Sequence, residues 1–342
     1  MKVVTFGEIM LRLSTPGFSR FVQAASFDVT FGGGEANVAV ALAAYGVESY
    51  FVTKLPAHEI GQAAVNHLRR FGVRTDYIVR GGERIGIYFL ETGASQRPSK
   101  VIYDRAHAAI TTLQQGEIDW DRVFEGAQWF HWTGITPALG ERVRAELRRA
   151  LEAARRARVT VSVDLNYRAK LWSVEEAQQV MRALMDYVDI CIGNEEDAEK
   201  SLGVRPQGVD VEAGKLDEAA YAELALELKR TFGFQAVAIT LRESYSASIN
   251  GWSALMVDNR DCQTPYRSRR YQIHLVDRVG SGDAFAGGLI YGLLMKNNTR
   301  EALEFAVAAS CLKQTIPGDF NLVSAGEVEK LMHGSGSGRV ER

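Results

Sequence analysis

The sequence has few cysteines, and they stand far apart in its 342 residues. Cys191, Cys262 and Cys311 form no CxxC pair, so the sequence predicts neither a disulfide framework nor a zinc site. No run of about 18 apolar residues occurs, and we therefore predict no transmembrane helix. The amino terminus, MKVVTFGEIML, is typical of a buried strand and lacks the features of a signal peptide. We expect a cytoplasmic protein with no membrane partner.

An excess of charge of one sign is also missing. The chain has 40 Lys and Arg against 42 Asp and Glu, a formal net charge of -2. Binding along a nucleic acid requires a clear basic excess, so we expect no nucleic-acid partner. Any anion that the protein binds must be held by a few local groups. The length and the 46% hydrophobic share suit one large α/β domain, with room for a smaller part.

Apolar runs typical of buried strands alternate along the chain with helical patterns. The alternation predicts an α/β fold with a mostly parallel sheet that is flanked by helices. The predicted strands are residues 3–7, 49–55, 128–134, 159–166, 188–193 and 235–240. The predicted helices include residues 35–46, 58–72, 141–159 and 174–187.

Two segments interrupt this alternation, residues 11–31 and 84–105. Both contain short extended runs separated by Gly, Pro and Ser, with no crossover helix. We predict that they form a small β-sheet that covers the carboxyl ends of the parallel strands as a lid, because open α/β folds bind ligands there. The α/β domain then comprises the following segments: 1–10, 32–83 and 106–332. Residues 333–342 are expected to be a flexible tail.

The stretch DRVGSGDAFAGG, residues 277–288, suggests a chemical site. It leads into an apolar helical pattern, so the amides of Gly280, Ser281 and Gly282 are expected at the positive end of a helix, where a phosphate binds well. Asp283 beside that site is suited to take a proton from a hydroxyl that attacks the phosphate. The pattern favours phosphoryl transfer to an alcohol. The alternative is an ordinary glycine-rich helix start with a capping Asp.

A second glycine cluster, FGGGEANVAVALAAYG, begins another helix at residues 31–46. A dinucleotide fingerprint needs glycine where Asn37 stands, and the P-loop pattern GxxxxGK[ST] does not occur in the chain. Gly33 and Gly34 are expected to let a ligand lie on bare backbone, with Asn37 bonding to its hydroxyls. A tight turn followed by a helix cap explains the segment equally well.

Together, GGGEANVAVALAAYG and DRVGSGDAFAGG resemble the two signatures of the ribokinase-like (PfkB) carbohydrate kinase family, in the same order. Two further stretches, HWTGITPALG at 131–140 and VDLNYRAKLWS at 163–173, resemble those of 2-keto-3-deoxygluconate kinases within that family. The resemblance implies a Rossmann-like domain with a β-lid, ATP and Mg²⁺ as cofactors, and phosphorylation of a sugar hydroxyl. It also suggests a homo-oligomer that associates through the lid.

Several residues match the family's functional positions. Asp283 matches the catalytic base, and the amides of Gly280 to Gly282 match the anion hole. The NxxE motif corresponds to residues 194–197, where Asn194 is a nucleotide contact and Asp197 replaces the last Glu as a water-mediated Mg²⁺ group. The nucleotide motif TLGxxG corresponds to TLRESYSAS at 240–248, and this loop departs most from the family. Its candidate nucleotide contacts are Thr240, Arg242 and Ser244, and a donor other than ATP stays open.

The resemblance also implies an acceptor site formed by Gly33, Gly34, Tyr88, Tyr103, Arg105 and Arg168. Arginine suits a keto acid, because its planar fork binds a carboxylate, although a single Arg is more often a surface charge. We expect phosphorylation of 2-keto-3-deoxygluconate at its terminal (6-) hydroxyl to give 2-keto-3-deoxy-6-phosphogluconate. The alternatives are a fructokinase or other ketose kinase and a non-catalytic sugar-binding regulatory protein.

Overall fold

The computed structural model describes residues 1–205, 218–261, 263–296 and 298–334. Cys262 and most of the predicted tail, residues 335–342, lie outside these ranges. The strands are β1 Lys2–Phe6, β2 Met10–Ser14, β3 Asp28–Gly32, β4 Glu48–Leu55, β5 Ile78–Arg80, β6 Gly86–Glu91, β7 Lys100–Asp104, β8 Ala127–Thr133, β9 Thr160–Asp164, β10 Ile190–Gly193, β11 Ala236–Ser244, β12 Ile249–Asp258, β13 Tyr266–Arg267 and β14 Tyr271–His274.

The helices are α1 Gly34–Ala44, α2 Glu59–Arg70, α3 Trp120–Phe124, α4 Ile135–Ala138, α5 Glu141–Ala157, α6 Val174–Leu184, α7 Glu195–Leu202, α8 Glu218–Phe232, α9 Ser281–Met295, α10 Thr299–Lys313 and α11 Ala325–Met332. Short 3₁₀ helices cover Ala109–Thr112 and Met185–Tyr187. Within the described ranges, we find no helix with the length and apolar composition that crossing a bilayer requires.

A large, mostly parallel sheet forms the body of the protein. Seven strands run parallel in the order β5-β4-β1-β8-β9-β10-β11. An antiparallel edge follows, in which β12 pairs with β11, β13 and β14. The parallel part confirms the predicted α/β class. The segment TLRESYSAS corrects one expectation, because Thr240 to Ser244 continue β11 and only the residues after them form a loop.

Apolar side chains on alternating strand positions bury both faces of this sheet. On β1, for example, Val3 packs into one hydrophobic cluster and Val4 into another. The cluster around Val4 includes residues of α3, α5, α6, α7 and α8. The cluster around Val3 includes residues of α1, α9, α10 and α11. Helices on both faces explain why the strands read as almost continuous apolar runs.

The small sheet predicted from the two interrupting segments is also present. Its strands lie in the order β3-β2-β6-β7, with β2 parallel to β6 and the other two pairs antiparallel. One side of it meets the body through Arg12 and Tyr88. Its other side leaves Val29 and Ile102 exposed. We call this four-stranded sheet the lid sheet.

Candidate active site

A cavity opens at the carboxyl edge of the parallel strands, beneath the lid sheet. Its lining contains all residues proposed from the sequence except Ser244: Gly33, Gly34, Asn37, Tyr88, Tyr103, Arg105, Arg168, Asn194, Asp197, Thr240, Arg242, Gly280, Ser281, Gly282 and Asp283. Ser244 lies on β11 opposite Asn250, two residues beyond Arg242, and is not part of the lining. The structure therefore gathers residues from seven segments of the sequence into one site.

Asp283 lies in the first turn of α9 and faces the start of α1. Its Oδ2 accepts a hydrogen bond of 2.6 Å from the side-chain amide of Asn37. A Cβ added to Gly34 would lie 3.5 Å from Oδ1 of Asp283, so the carboxylate packs directly on the helix start. Burial raises the pKa of Asp283 to about 6, and the Asn37 hydrogen bond opposes this shift. A carboxylate with such a pKa is ionised at neutral pH yet basic enough to accept a proton.

The backbone before α9 offers unpaired amides beside that carboxylate. Gly280 has a φ of 82°, and a Cβ there would lie 2.1 Å from the carbonyl oxygen of Asp319. The expected set of three amides needs correction, because the Ser281 N–H donates to the carbonyl of Arg278 at 3.3 Å. Among described residues, no atom accepts a hydrogen bond from the backbone amides of Gly280, Gly282 and Asp283. These three are the amides that can bind an anion at the helix start.

Gly33 and Gly34 lie at the start of α1, as the sequence indicated. The Gly33 N–H donates to Oδ1 of Asn37 at 3.2 Å. A Cβ on Gly33 would lie 1.9 Å from the carbonyl oxygen of Glu8. The glycine is therefore needed for the close approach of two chain segments, whether or not a ligand lies on it.

Glu35, which the motif analysis did not single out, stands fully buried beneath the start of α1. Its Oε1 accepts hydrogen bonds from the backbone amide of Thr133 at 3.0 Å, from the Thr133 hydroxyl at 2.8 Å and from the Thr136 hydroxyl at 2.5 Å. Burial raises the pKa of Glu35 to about 7, against the effect of these hydrogen bonds. No described cation pairs with it. Glu35 ties α1 to the end of β8 and so positions the helix start.

Arg105, at the end of the lid strand β7, is already paired with a carboxylate. Its Nε donates to Oε2 of Glu8 at 2.9 Å, and a second guanidinium nitrogen contacts the same oxygen. The guanidinium also lies 5.2 Å from the ring centre of Tyr103. Oε1 of Glu8 is buried and has no hydrogen-bond partner among the described residues. Glu8 therefore fixes the direction of Arg105 and leaves one oxygen in the cavity lining to accept a hydrogen bond.

Acidic residues line the part of the cavity next to Arg168. Burial raises the pKa of Asp164, at the end of β9, well above its usual value, and the charges of Asp197 and Asp283 add to this. Burial also raises the pKa of Asp197 to about 6. Arg168 is exposed and lowers the pKa of these carboxyls, while its own NH1 donates to the carbonyl of Tyr167 at 2.8 Å.

The NxxE-like segment begins α7. Asn194 is the N-cap, and its Oδ1 accepts from the Asp197 amide at 2.8 Å. Oδ1 of Asp197 accepts from the Tyr167 amide at 2.8 Å, which joins the ends of β9 and β10. Among the residues that the structure describes, no three His, Cys, Asp or Glu side chains are grouped to hold a metal ion by themselves.

A buried ionic network connects the lid sheet to the body near Gly280. Arg12 of β2 donates to Asp277 and to Asp319 at 2.5 Å each, and all three side chains are at least nine-tenths buried. The Tyr88 hydroxyl of β6 donates to Asp319 at 2.6 Å. Lys313 is completely buried, and its Nζ donates to the carbonyl of Asp277 at 3.1 Å.

The same network holds the turn that precedes α9. Oδ1 of Asp277 accepts from the Val279 amide, and its Oδ2 accepts from the Gly318 amide, both at 3.0 Å. The carbonyl of Asp319 packs against Gly280. The position of the unpaired amides therefore depends on contacts that begin in the lid sheet.

Comparison with known proteins assigns the chain to a family. A model of the pfkB family of carbohydrate kinases matches residues 1–322. The chain belongs to this family. A pfkB-family kinase was also the expectation from the two glycine motifs, and it is confirmed.

Three similar proteins carry related names. The crystal structure of 2-dehydro-3-deoxygluconokinase from Thermotoga maritima has 57% sequence identity and a TM-score of 0.94, covering 98% of this chain and 100% of that one. The 2-dehydro-3-deoxygalactonokinase of Haloferax volcanii is 35% identical over 98% of both chains. The 2-dehydro-3-deoxygluconokinase of Thermoproteus tenax is 28% identical over 97% of this chain and 94% of its own.

Sequence reasoning missed several cavity residues of this pfkB-family kinase. Glu8 and Asp319 lie in no recognised motif. Glu35 lies within the first glycine motif, but its contacts are with residues about 100 positions away. For Glu8 a signal was available, since an acidic residue directly after a buried strand is unusual in a core position. Asp319 offered no such signal, because it follows a turn far from the motifs.

Proposed function

We propose that this pfkB-family kinase transfers the terminal phosphoryl group of ATP to the terminal (6-) hydroxyl of 2-keto-3-deoxygluconate, whose other name is 2-dehydro-3-deoxygluconate. The product is the 6-phosphate. The observation that supports this most directly is the carboxylate of Asp283 next to unpaired amides at the start of α9. A base and an anion site side by side are what phosphoryl transfer to an alcohol requires.

In this mechanism Asp283 accepts the proton of the attacking hydroxyl. Asn37 holds the carboxylate in place through its hydrogen bond. The amides of Gly280, Gly282 and Asp283 stabilise the negative charge that develops on the transferring group. The lid sheet covers the site and excludes water, which otherwise competes as the acceptor.

Arg105 and Arg168 are proposed to bind the carboxylate of the sugar acid. Both line the cavity, and Arg105 is held in one orientation by Glu8 and Tyr103. The unpaired Oε1 of Glu8 is suited to accept a hydrogen bond from a sugar hydroxyl. A neutral ketose lacks the carboxylate that would engage these arginines, so this arrangement favours a keto acid.

The residues of the cavity also fit a magnesium ion that arrives with the donor. Mg²⁺ binds through one or two carboxylates together with phosphate oxygens and water. Asp164 and Asp197 would supply two carboxylates, and the buried Oδ1 of Asn166 in the same lining has no hydrogen-bond partner in the part of the chain that the structure describes. The ion would supply charge neutralisation on the phosphates.

A substrate panel tests the proposed function. We would measure ADP formation with Mg²⁺-ATP and each of five additions: 2-keto-3-deoxygluconate, its galactose-derived epimer, fructose, ribose and buffer alone. We expect turnover with the two keto acids only. The ratio of their kcat/KM values will show whether the gluconate-derived or the galactonate-derived epimer is preferred. Turnover with fructose at a similar kcat/KM contradicts the carboxylate role of the arginines. No turnover with any sugar favours a sugar-binding protein without catalysis.

We also propose that the kinase forms a homo-oligomer through the lid sheet, in the cytoplasm. The outer side of the lid sheet exposes Val29 and Ile102, and the segment that joins β2 to β3 exposes three more large apolar side chains: Phe18, Val22 and Phe27. Several exposed apolar side chains in one region are typical of an interaction surface. The free thiols of Cys191 and Cys311 agree with a reducing compartment. Light scattering after size-exclusion chromatography gives the oligomeric state, and Val29→Asp together with Ile102→Asp should convert the oligomer to a monomer.

A further inference from the structure

Two arginines of the cavity have side chains with neither an ion pair nor a hydrogen bond in the described part of the chain. They are Arg242 and Arg278, which both belong to the cavity lining. The other arginines near the site differ in this respect. Arg105 is paired with Glu8 and Arg12 with two aspartates, and Arg168 donates to the carbonyl of Tyr167. We call Arg242 and Arg278 the arginine pair.

Arg242 is held by the antiparallel edge of the sheet. It stands on β11 directly opposite Trp252 on β12. Its guanidinium lies 5.3 Å from the centre of the Trp252 ring, which is almost fully buried. The indole supports the guanidinium from one side by a cation–π contact, so the other side remains for a ligand. The strand extension at TLRESYSAS is what brings Arg242 to the cavity.

Arg278 belongs to the turn that leads to the unpaired amides. Its carbonyl accepts from the Ser281 amide, and the next residue, Val279, is fixed by Oδ1 of Asp277. The backbone of Arg278 is therefore held by hydrogen bonds on both sides, while its partly buried side chain lines the cavity without a partner among the described residues. It stands two residues before Gly280.

The positive charges of Arg242 and Arg278 repel each other. Arg242 keeps an exposed surface, but the protein atoms around its guanidinium remove enough water to lower its pKa to about 10. The next largest cause is the positive charge of Arg278. Glu195 and Asp197 offset this only in part. Burial also lowers the pKa of Arg278. Such an arrangement becomes favourable when a ligand with several negative charges lies between the two guanidinium groups.

We propose that Arg242 and Arg278 together bind the phosphates of the donor, with Arg278 nearest the group that is transferred. The inference rests on the proposed function for the identity of the donor as a nucleoside triphosphate. It adds a ligand contact, Arg278, and a structural reason for the arginine at position 242. In the family motif TLGxxG, the glycines leave bare backbone for the nucleotide. In this chain the first of these glycines is replaced by Arg242, whose side chain is supported by Trp252. Charge on the phosphates, and not backbone alone, then determines donor affinity.

This inference can be tested by binding experiments that omit the sugar acceptor. We would measure the affinity of ATP and of inorganic tripolyphosphate by calorimetry for the parent, Arg242→Met, Arg278→Met and the double variant. Each single variant is expected to bind both ligands about 10-fold to 100-fold more weakly, since a bidentate charge-assisted contact is lost. Arg278→Lys should recover part of the affinity, because it retains the charge but not the fork.

Arg300→Met is the matched control. Arg300 also stacks on an aromatic ring, at 5.0 Å from the ring centre of Tyr266, but it lies outside the cavity lining. Its ATP and tripolyphosphate affinities should equal those of the parent. Parent-like affinities in Arg278→Met overturn the role of Arg278. A loss of ATP binding with unchanged tripolyphosphate binding also overturns the inference, because the arginines would then contact the nucleoside.

A second measurement uses the unaltered protein, so it tests the inference even if the variants fail to fold. Phenylglyoxal modifies accessible arginines, and peptide mapping gives the rate at each position. Tripolyphosphate should slow the modification of Arg242 and Arg278 at least about fivefold and leave that of Arg300 unchanged. Equal rates with and without tripolyphosphate contradict the inference.

These outcomes are separate from those of the sugar panel. If no sugar acid is phosphorylated while tripolyphosphate binding depends on the arginine pair, the proposed function fails and this inference stands. If 2-keto-3-deoxygluconate is phosphorylated while the arginine variants bind ATP normally, the inference fails and the proposed function stands.

Discussion

At the scale of single residues, the environment of Asp283 determines how activity responds to pH. Its pKa is raised to about 6 by burial. A general base acts only when ionised, so kcat/KM for the sugar acid should rise about tenfold per pH unit below pH 6 and level off above it. We would measure initial rates from pH 4.5 to 8.5 with saturating ATP. An acid limb centred near pH 4 indicates that another group controls the reaction.

Asp283→Asn provides the companion test. The amide keeps the shape of the side chain and one acceptor oxygen for Asn37 but cannot accept the proton, so kcat should fall by roughly two to four orders of magnitude. Binding of the sugar acid, measured by calorimetry, should change less than about threefold. Turnover near the parent value removes Asp283 from the role of base.

Gly280 is the residue whose conformation the site depends on most. We expect Gly280→Ala to lower the stability by at least about 1–2 kcal/mol, because its φ is 82° and the Asp319 carbonyl occupies the space. Activity should fall further than stability alone explains, since the unpaired amides move. Chemical denaturation and steady-state kinetics give both quantities.

Gly326→Ala is the control for that substitution. Gly326 lies in α11, and a Cβ there meets no atom within 4 Å. Alanine favours the helix, so this variant should be as stable as the parent or more stable by up to about 1 kcal/mol. A comparable loss in both variants means that the packing at Gly280 is not the cause.

The residues of the site differ in how far the sequence could predict them. Asp283, Gly280 and Asn37 lie in two short segments whose chemistry is local, so helix starts and glycine spacing were enough to propose them. Glu35 lies in the same segment as Asn37, but its role depends on hydroxyls of residues about 100 positions away, at Thr133 and Thr136. No local pattern contains that information.

At the scale of elements, Arg12 is the contact that fixes the lid sheet to the body. Its removal leaves Asp277 and Asp319 buried without their ion-pair partner, and Lys313 is the positive charge that remains beside them. We expect Arg12→Met to reduce the free energy of unfolding by about 3–5 kcal/mol. We also expect kcat to fall with it, because the turn before Gly280 loses its support. Urea denaturation and kinetics are the measurements.

Arg84→Met is the corresponding surface control. Arg84 pairs with Asp104 at the end of β7, but both side chains are substantially exposed, at 33% and 53%. The free energy of unfolding of Arg84→Met should be lower than that of the parent by about 1 kcal/mol or less. A loss in Arg12→Met as small as in the control shows that the buried network does not stabilise the lid.

Elements were predicted well where the periodicity is local and less well at the edge of the sheet. The strand expected at residues 235–240 is present but extends to Ser244. Its partner β12 and the short β13 and β14 were not predicted. β12 is buried on nearly every residue, so its sequence shows no alternation that distinguishes a strand from a buried helix.

At the scale of the whole molecule, buried carboxyls make stability depend on pH. The pKa values of Glu35, Asp197 and Asp283 are raised to about 7, 6 and 6, and those of Glu8 and Asp164 are also raised. A raised carboxyl pKa means that the folded protein holds the proton more tightly than the unfolded chain. The stability from these groups is present at low pH and is lost as the pH rises through their folded-state values.

Two histidines act in the opposite direction, but over a lower range. Burial lowers the pKa of His131 to about 3 and also lowers that of His67. Their effect on stability ends near pH 6.5, because above this pH the two histidines are neutral in both the folded and the unfolded protein. We therefore expect the free energy of unfolding to fall by about 1–2 kcal/mol between pH 6.5 and 8.

Denaturant titrations at several pH values check this expectation. Glu35→Gln mimics the protonated side chain, so it should make the decrease between pH 6.5 and 8 smaller. The parent is expected to show the steeper slope. Stability that is constant or rises over this range shows that the buried carboxyls are not the groups that titrate.

The short strands at the margins of the large sheet have a consequence for behaviour at high concentration. One margin ends in the three residues of β5, and the other in the two residues of β13 and the four of β14. A long unpaired edge strand offers a template on which further chains add by hydrogen bonding and aggregate. Because both margins are so short, the folded body presents little such template. Its self-association should therefore involve side-chain surfaces, and not the growth of a continuous sheet from one molecule to the next.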